Sequence, residues 1–374
     1  MKEIYLDNSA TTKVLPEAAE KAAMLMLECY GNPSSLHSKG TEAERELKKA
    51  REAVAARLSA QAEELYFTSG GTEANNLAVL SAAAKRRGGR IVTTAIEHSS
   101  VLEAVKSLEK QGCEAVYLKP DAWGRISEKD ILEAVDSSTV FVSIMAVNNE
   151  VGTIQPWEYA AKAIKLKKAP ALLHVDAVQA FCKLPLNPAK FGVDLMSVSA
   201  HKIHGAKGVG ALYVRKGLHL ASRTFGGGQE KNLRTGTEAV PLIGAFGVAA
   251  AKAEDNKSLF TELNLHTREA LKEFEEVIIN SPEDALPCII NFSVVGIRSE
   301  TMLHHLASQG VYVSSGSACA KGKPSHVLEA MALPRERADS ALRISFSKYN
   351  SKEDIAALIS GIKSGLNTIA RSKV

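Results

Sequence analysis

Several side chains in this sequence sit where folding alone gives them little reason to be. Lys202 lies in DLMSVSAHKIHGAKGVG, residues 194–210, just past the apolar run Leu195, Met196, Val198. That run reads as a buried strand, and a buried strand end rarely carries an unpaired ammonium. Two readings are open: a surface lysine in a loop, or an amine that forms a Schiff base with a carbonyl cofactor and so loses its charge. Asp176 ends a second apolar run, 171–175. There a carboxylate either caps a helix or pairs with a cofactor ring nitrogen. Pyridoxal phosphate needs such a partner, because a protonated pyridinium draws off the electrons of a carbanion formed beside the imine. With Ser199 and His201 as phosphate ligands, Asp176 and Lys202 supply the parts of a pyridoxal phosphate site, and Gln179 falls near the same ring edge. His98 is either a solvated loop histidine or a group that stacks on the ring or relays a proton.

Two further residues stand apart from that set. Cys319 lies in SSGSACAKGKP, residues 314–324, a Gly/Ser/Pro-rich loop with Lys321 and Lys323 nearby. Most free cysteines are buried and inert, whereas cationic neighbours lower a thiol pKa and favour the thiolate. The stretch is not a P-loop, since Gly316 and Gly322 are one residue too far apart and Pro324 replaces the Ser/Thr. It reads instead as a lid with a reactive cysteine. Arg343, between apolar residues in ALRIS, needs a partner: a structural acid or a substrate carboxylate held bidentately. His201 and His204 have i, i+3 spacing but no evident third ligand, so no metal site is expected.

The elements that must position these groups alternate regularly. Leu65–Thr68 is strand-like, and Ser69-Gly70-Gly71-Thr72 opens a helix whose free N–H groups and dipole suit a phosphate. Strands follow at 91–94, 115–118, 139–145, 171–175, around Met196 and at 208–214, the last expected to join its predecessor by a tight turn. Helices begin near Ser99, Glu128 and Trp157. Apolar strands separated by helices predict an α/β fold, a three-layer domain with a mainly parallel sheet, and ligands at the strands' carboxyl ends. Earlier helices are expected at 16–29 and 41–58. Beyond the small-residue helix 240–252, a charged helix at 259–277 opens an α+β unit with strands at 288–294, 311–314 and 342–347 and a closing helix at 352–371. The expected division is a large domain, 16–258, and a small α+β domain made of 1–15 and 259–374.

Composition sets the outer limits. The chain has 374 residues, 45% hydrophobic and 24% charged, with a formal charge of +4. This is the make-up of a soluble globular protein, and basic clusters interleaved with aromatics, which would point to nucleic acid, are missing. MKEIYLDNSATT lacks the basic and apolar regions of a signal peptide, and no apolar run is long enough for a bilayer. A cytoplasmic protein is expected. Five scattered cysteines, Cys29, Cys113, Cys182, Cys288 and Cys319, form no C-x-x-C pair, which argues against a disulfide framework and a zinc site.

Taken together, LDNSATT (6–12), NPSSLHSKG (32–40), TSGGTEANN (68–76), EHSSV (97–101), VNNEVGTIQP (147–156), HVDAVQ (174–179), SAHKIHGAKGVG (199–210), GGGQEKNLRTGTE (226–238) and SSGSAC (314–319) resemble the cysteine desulfurases of the NifS/IscS type. These are fold-type I pyridoxal phosphate enzymes of the class V aminotransferase group, and the motifs run in order along nearly the whole chain. The resemblance implies that Lys202 bonds the cofactor and later moves the Cα proton. It implies that His98 stacks on the ring, Asp176 pairs with the ring nitrogen, and Asn149 and Gln179 contact the ring hydroxyl side. Gly71, Thr72, Ser199 and His201 would hold the phosphate, with Thr237 reaching over from a partner subunit of a homodimer. Arg343, with Asn8 nearby, would bind the carboxylate of L-cysteine, and Cys319 would take the sulfur as a persulfide, releasing alanine. An iron–sulfur scaffold, a tRNA-thiolation relay or a thio-cofactor pathway would accept the sulfur. Three features depart from the family pattern: a shorter segment 320–325, Ala332 where glycine often stands, and Cys182. Selenocysteine lyase, another class V aminotransferase and a non-catalytic sulfur-relay scaffold are the alternative functions.

Overall fold

The computed structural model describes residues 3–83, 88–315 and 325–370, so Cys319 lies outside the described residues. The strands are β1 (Ile4–Tyr5), β2 (Leu65–Thr68), β3 (Arg90–Thr94), β4 (Glu114–Leu118), β5 (Thr139–Ser143) and β6 (Leu172–Asp176). They continue with β7 (Leu195–Ser199), β8 (Gly210–Val214), β9 (Val277–Ile279), β10 (Ile289–Val294), β11 (Val311–Tyr312) and β12 (Ala341–Ser345). A seven-stranded sheet has the order β2-β8-β7-β6-β5-β3-β4. Only β8 runs against its neighbours; the rest are parallel, as the near-continuous apolar runs require of strands covered on both faces. β5, β7 and β8 are buried along their whole length.

β6 is the least apolar of the central strands, and its polar groups are paired. His174, fully buried, shares hydrogen bonds with Ser143 Oγ on β5 (2.8 Å) and Ser197 Oγ on β7 (2.9 Å). The same strand therefore tolerates a polar residue mid-sheet and delivers Asp176 at its carboxyl end.

The link from β7 to β8 is not the expected tight turn. Residues 200–209 intervene, beginning with the 3-10 turn Ala200–Lys202, and the Ala200 carbonyl accepts from the N–H of Ile203 and Gly205. This compact loop sets Lys202 one turn beyond the strand. Its far end needs Gly210, where a Cβ would sit 2.7 Å from both the Val198 carbonyl oxygen and the Gly70 carbonyl carbon. β8 can thus pass close beneath the glycine turn only without a side chain there.

In the carboxyl-terminal third, β9, β10 and β12 form an antiparallel sheet of order β12-β10-β9. The helix expected to reach 277 ends earlier, as Lys257–Leu271, because the β-branched run Val277–Ile279 pairs with β10 instead. Short helices His326–Ala330 and Arg335–Asp339 lie between β11 and β12. The amino-terminal segment joins this end of the chain: β1 pairs with β11, Ser345 N–H donates to the Leu6 carbonyl, and Ser9 N–H donates to Ser345 Oγ (2.7 Å). Residues 7–11 are thereby laid beside Lys202. Among the described residues, no helix is long and apolar enough to cross a membrane.

Candidate active site

The carboxyl ends of β5, β6 and β7 open into a cavity of about 670 Å³, within the size range of small-molecule and cofactor sites. Gly71, Thr72, His98, Asn149, Asp176, Gln179, Ser199, His201, Lys202 and Arg343 all line it. Ten positions spread over more than 270 residues of chain thus converge on one space.

Lys202 donates to two backbone carbonyls, Ser9 (2.5 Å) and Ala10 (2.8 Å). Burial, and then the charges of Arg343 and Lys183, bring its amine down to about 7 from the ordinary lysine value. A large share of the amine is therefore neutral and nucleophilic near neutral pH. Asp176 Oδ1 accepts from the Val178 N–H (3.0 Å), a local turn bond with no helix behind it, while Oδ2 accepts from Asn75 Nδ2 (2.7 Å). Its carboxylate is buried at the cavity wall.

His98 caps the helix Ser99–Glu109, its side chain accepting from Ser100 N–H. Burial is the largest influence on its imidazole and lowers its pKa. His201 is pushed down to about 4 by burial and then by Lys202, so it stands neutral beside Thr11 Oγ1 (3.3 Å). The helix Gly71–Ala83 points its amino terminus at the cavity. At Gly71 a Cβ would meet Val178 Cγ2 at 2.8 Å, so glycine lets the helix start close against the Asp176 turn.

Arg343 is 2% exposed. Nη1 donates to the Asn149 carbonyl (2.9 Å) and Nη2 to Asp7 Oδ1 (2.7 Å). The structural acid weighed for this arginine is therefore Asp7, yet two bonds leave three of the guanidinium's five N–H donors without a named partner. Arg343 is prealigned and still able to take a carboxylate.

Two expected residues lie elsewhere. Asn8 is buried with its amide donating to the Ser345 carbonyl (2.8 Å) and to Asn350 Oδ1 (3.3 Å), away from the lining of this cavity. Its neighbour Ser9 does line it, and the Ser9 carbonyl also accepts from Gln179 Nε2 (2.9 Å). Thr237 is exposed and absent from the lining of the single chain.

Sequence reading missed Asn75, Ser100, Glu150 and His326, all of them on the cavity wall. Asn75 follows Gly71 by one helical turn and so shares its face; that spacing was the available signal. Glu150 is buried, raised to about 7 mainly by that burial, and accepts from Ser325 Oγ (2.5 Å). His326 Nε2 donates to the Glu97 carbonyl (2.9 Å).

Several polar atoms around the cavity lack a partner among the described residues. Ser199 Oγ and Gln179 Oε1 are buried without a hydrogen bond, a costly state unless a ligand supplies the other half. A free hydroxyl facing a helix amino terminus, a buried carboxylate and a neutral-capable lysine match a phosphate, a ring nitrogen and an aldehyde carbon respectively. The residues present fit pyridoxal phosphate.

Comparison with known proteins agrees with that chemistry. The aminotransferase class-V family profile matches residues 4–358. A cysteine desulfurase IscS of Dictyoglomus turgidum is 42% identical over 95% of this chain and 92% of its own length. A putative cysteine desulfurase IscS 1 of Bacillus subtilis is 40% identical over 95% and 96%. Among solved structures, a NifS-like protein superposes with a TM-score of 0.93 at 38% identity, covering 98% of this chain and all of the other. SspA in complex with cysteine gives 0.84 at 34% identity over 94% of this chain and all of the other.

Proposed function

Since the chain belongs to the aminotransferase class-V family, whose members work with pyridoxal 5′-phosphate, we propose that it is a cysteine desulfurase that uses this cofactor in the cavity beside Lys202. The observation that carries the reading is the buried, neutral-capable Lys202 in one cavity with Asp176 and the unpartnered Ser199 Oγ.

In this reading the helix starting at Gly71, with Thr72, Ser199 and His201, holds the phosphate, and Thr237 joins them from the second chain of a homodimer. Asp176 holds a proton on the ring nitrogen, Asn149 and Gln179 contact the ring hydroxyl side, and His98 packs on the ring. When bound, pyridoxal phosphate supplies a carbonyl carbon for an amine and an electron sink for a carbanion at the substrate Cα. Arg343, held by Asp7 and the Asn149 carbonyl, takes the carboxylate of L-cysteine through its remaining donors. Once displaced by the substrate amine, Lys202 Nζ removes the Cα proton; its lowered pKa makes it a base at neutral pH.

Cys319, as thiolate, attacks the substrate sulfur. The new S–S bond forms as the Cβ–Sγ bond breaks, the electron pair passes to Cβ, and a proton completes alanine. Cys319 is left as a persulfide for an acceptor protein of an iron–sulfur cluster or thiolation pathway. A cytoplasmic setting accords with this thiol chemistry.

The test is product analysis. Protein loaded with pyridoxal phosphate and given L-cysteine with dithiothreitol is expected to yield alanine and sulfide in equal amounts. Turnover of selenocysteine with cysteine inert, or keto-acid formation from cysteine without alanine, would overturn the reading.

A further inference from the structure

The carboxylate assigned to the ring nitrogen and the imidazole assigned to the ring face are joined by an unbroken hydrogen-bond chain. Asn75, on the helix Gly71–Ala83, donates from Nδ2 to Asp176 Oδ2 (2.7 Å) and to Ser100 Oγ (2.8 Å). Ser100 Oγ lies 2.7 Å from His98 Nδ1, and Ser100 N–H points at the same nitrogen (3.2 Å). Asn75, Ser100 and Asp176 are all buried.

The direction of every bond follows from the first. An ionised carboxylate only accepts, so the amide nitrogen, and not Oδ1, must face Asp176. The second amide hydrogen then points to Ser100 Oγ, whose own hydrogen is left for His98 Nδ1. The backbone N–H of Ser100 points at the same nitrogen from 3.2 Å, a longer bond that favours an acceptor at Nδ1 without fixing it alone. His98 is thereby set as the tautomer with its hydrogen on Nε2. The cost of the arrangement is visible in Asn75 Oδ1, buried without a partner among the described residues: the side chain gives up its acceptor to supply two donors.

We propose that Asn75 and Ser100 are positioning residues that couple Asp176 to His98, so that the charge of Asp176 fixes the tautomer and orientation of the imidazole. The assignment deepens the desulfurase reading and rests on it for its catalytic meaning, while the tautomer itself is a property of the chain alone. Neither residue needs to touch substrate. The role of Asn75 is to keep Asp176 Oδ2 from turning, and that of Ser100 is to relay the polarity one step further.

Two readouts test this. In cofactor-free protein with 15N-labelled histidine, the His98 ring, identified by its loss in His98→Gln, is expected to show hydrogen on Nε2 and an unprotonated Nδ1 at neutral pH. In Asn75→Ala the ring is expected to become a mixture of tautomers, and in Ser100→Thr to keep the parent form. In the loaded enzyme, Asn75→Ala is expected to weaken cofactor retention roughly tenfold and to move the pH midpoint of the cofactor absorbance. The Asn75→Ala, Ser100→Ala double variant should be no worse than Asn75→Ala alone, since both cut one chain. Additive losses, or a parent His98 with hydrogen on Nδ1, would overturn the proposal. If the tautomer is as stated and L-cysteine yields no alanine, the desulfurase reading fails and this assignment stands.

Discussion

At the scale of single residues, the site depends on an amine held out of water. Lys202 sits near 7 because burial, Arg343 and Lys183 all oppose its charge, outweighing Asp7 and Asp176. The sign is direct: below that value the ammonium forms and the amine stops being a nucleophile, and above it the rate should level off. The rate at which pyridoxal phosphate combines with cofactor-stripped protein, followed by absorbance, should therefore reach half its plateau near pH 7. A rate still climbing toward pH 10, as for a solvated lysine, would contradict the placement of this side chain. Lys202, Asp176 and Arg343 were legible in the sequence because each is a charge at the end or in the middle of an apolar run. Asn75 and Ser100 were not, since a buried amide declares its role only through its partner, and Asp176 is 101 positions from Asn75. Asn8 is placed differently from its neighbour: Ser9 lines the cavity, while the Asn8 amide turns to the Ser345 carbonyl.

At the scale of elements, the ends of helices and strands carry most of the design. The helix His326–Ala330 closes with a Schellman arrangement, Leu333 N–H to the Leu328 carbonyl and Ala332 N–H to the Glu329 carbonyl, which places Ala332 at φ 54°. The family resemblance leads one to expect glycine at this position, and the positive φ supplies a physical reason for that expectation. An L-residue there costs about 1–2 kcal/mol, partly offset by the smaller unfolded-state entropy of alanine relative to glycine. Ala332→Gly should raise the unfolding free energy by about 1 kcal/mol, read as a higher urea midpoint of the cofactor-free protein; a lower midpoint would mean that the alanine methyl makes a compensating contact. The seven-stranded sheet was readable from its apolar runs, whereas β9 went unread, the expected helix running as far as its first residue, Val277, because a charged, periodic stretch leads directly into it. The tight turn expected after β7 was wrong for a functional reason: the sequence between β7 and β8 is the loop that holds Lys202, and small residues there serve close packing around Ala200 and Gly210.

At the scale of the whole molecule, two ends of the chain meet over the cavity. The amino-terminal segment is stitched to β11 and β12, and it supplies the carbonyls that receive Lys202 and the carboxylate that aligns Arg343. Sequence could name these residues but could not show that residues 7–11 lie between Lys202 and Arg343, because that follows from long-range strand pairing alone. The sulfur that leaves L-cysteine can be counted. Protein loaded with pyridoxal phosphate is given one equivalent of L-cysteine without reductant, its thiols are alkylated, and the peptide containing Cys319 is weighed by mass spectrometry. One extra sulfur atom is expected on Cys319, matched by an equal amount of alanine, with neither persulfide nor sustained turnover in Cys319→Ala. Alanine released at the parent rate by Cys319→Ala, or an unmodified Cys319 after alanine has formed, would contradict transfer of the sulfur to Cys319.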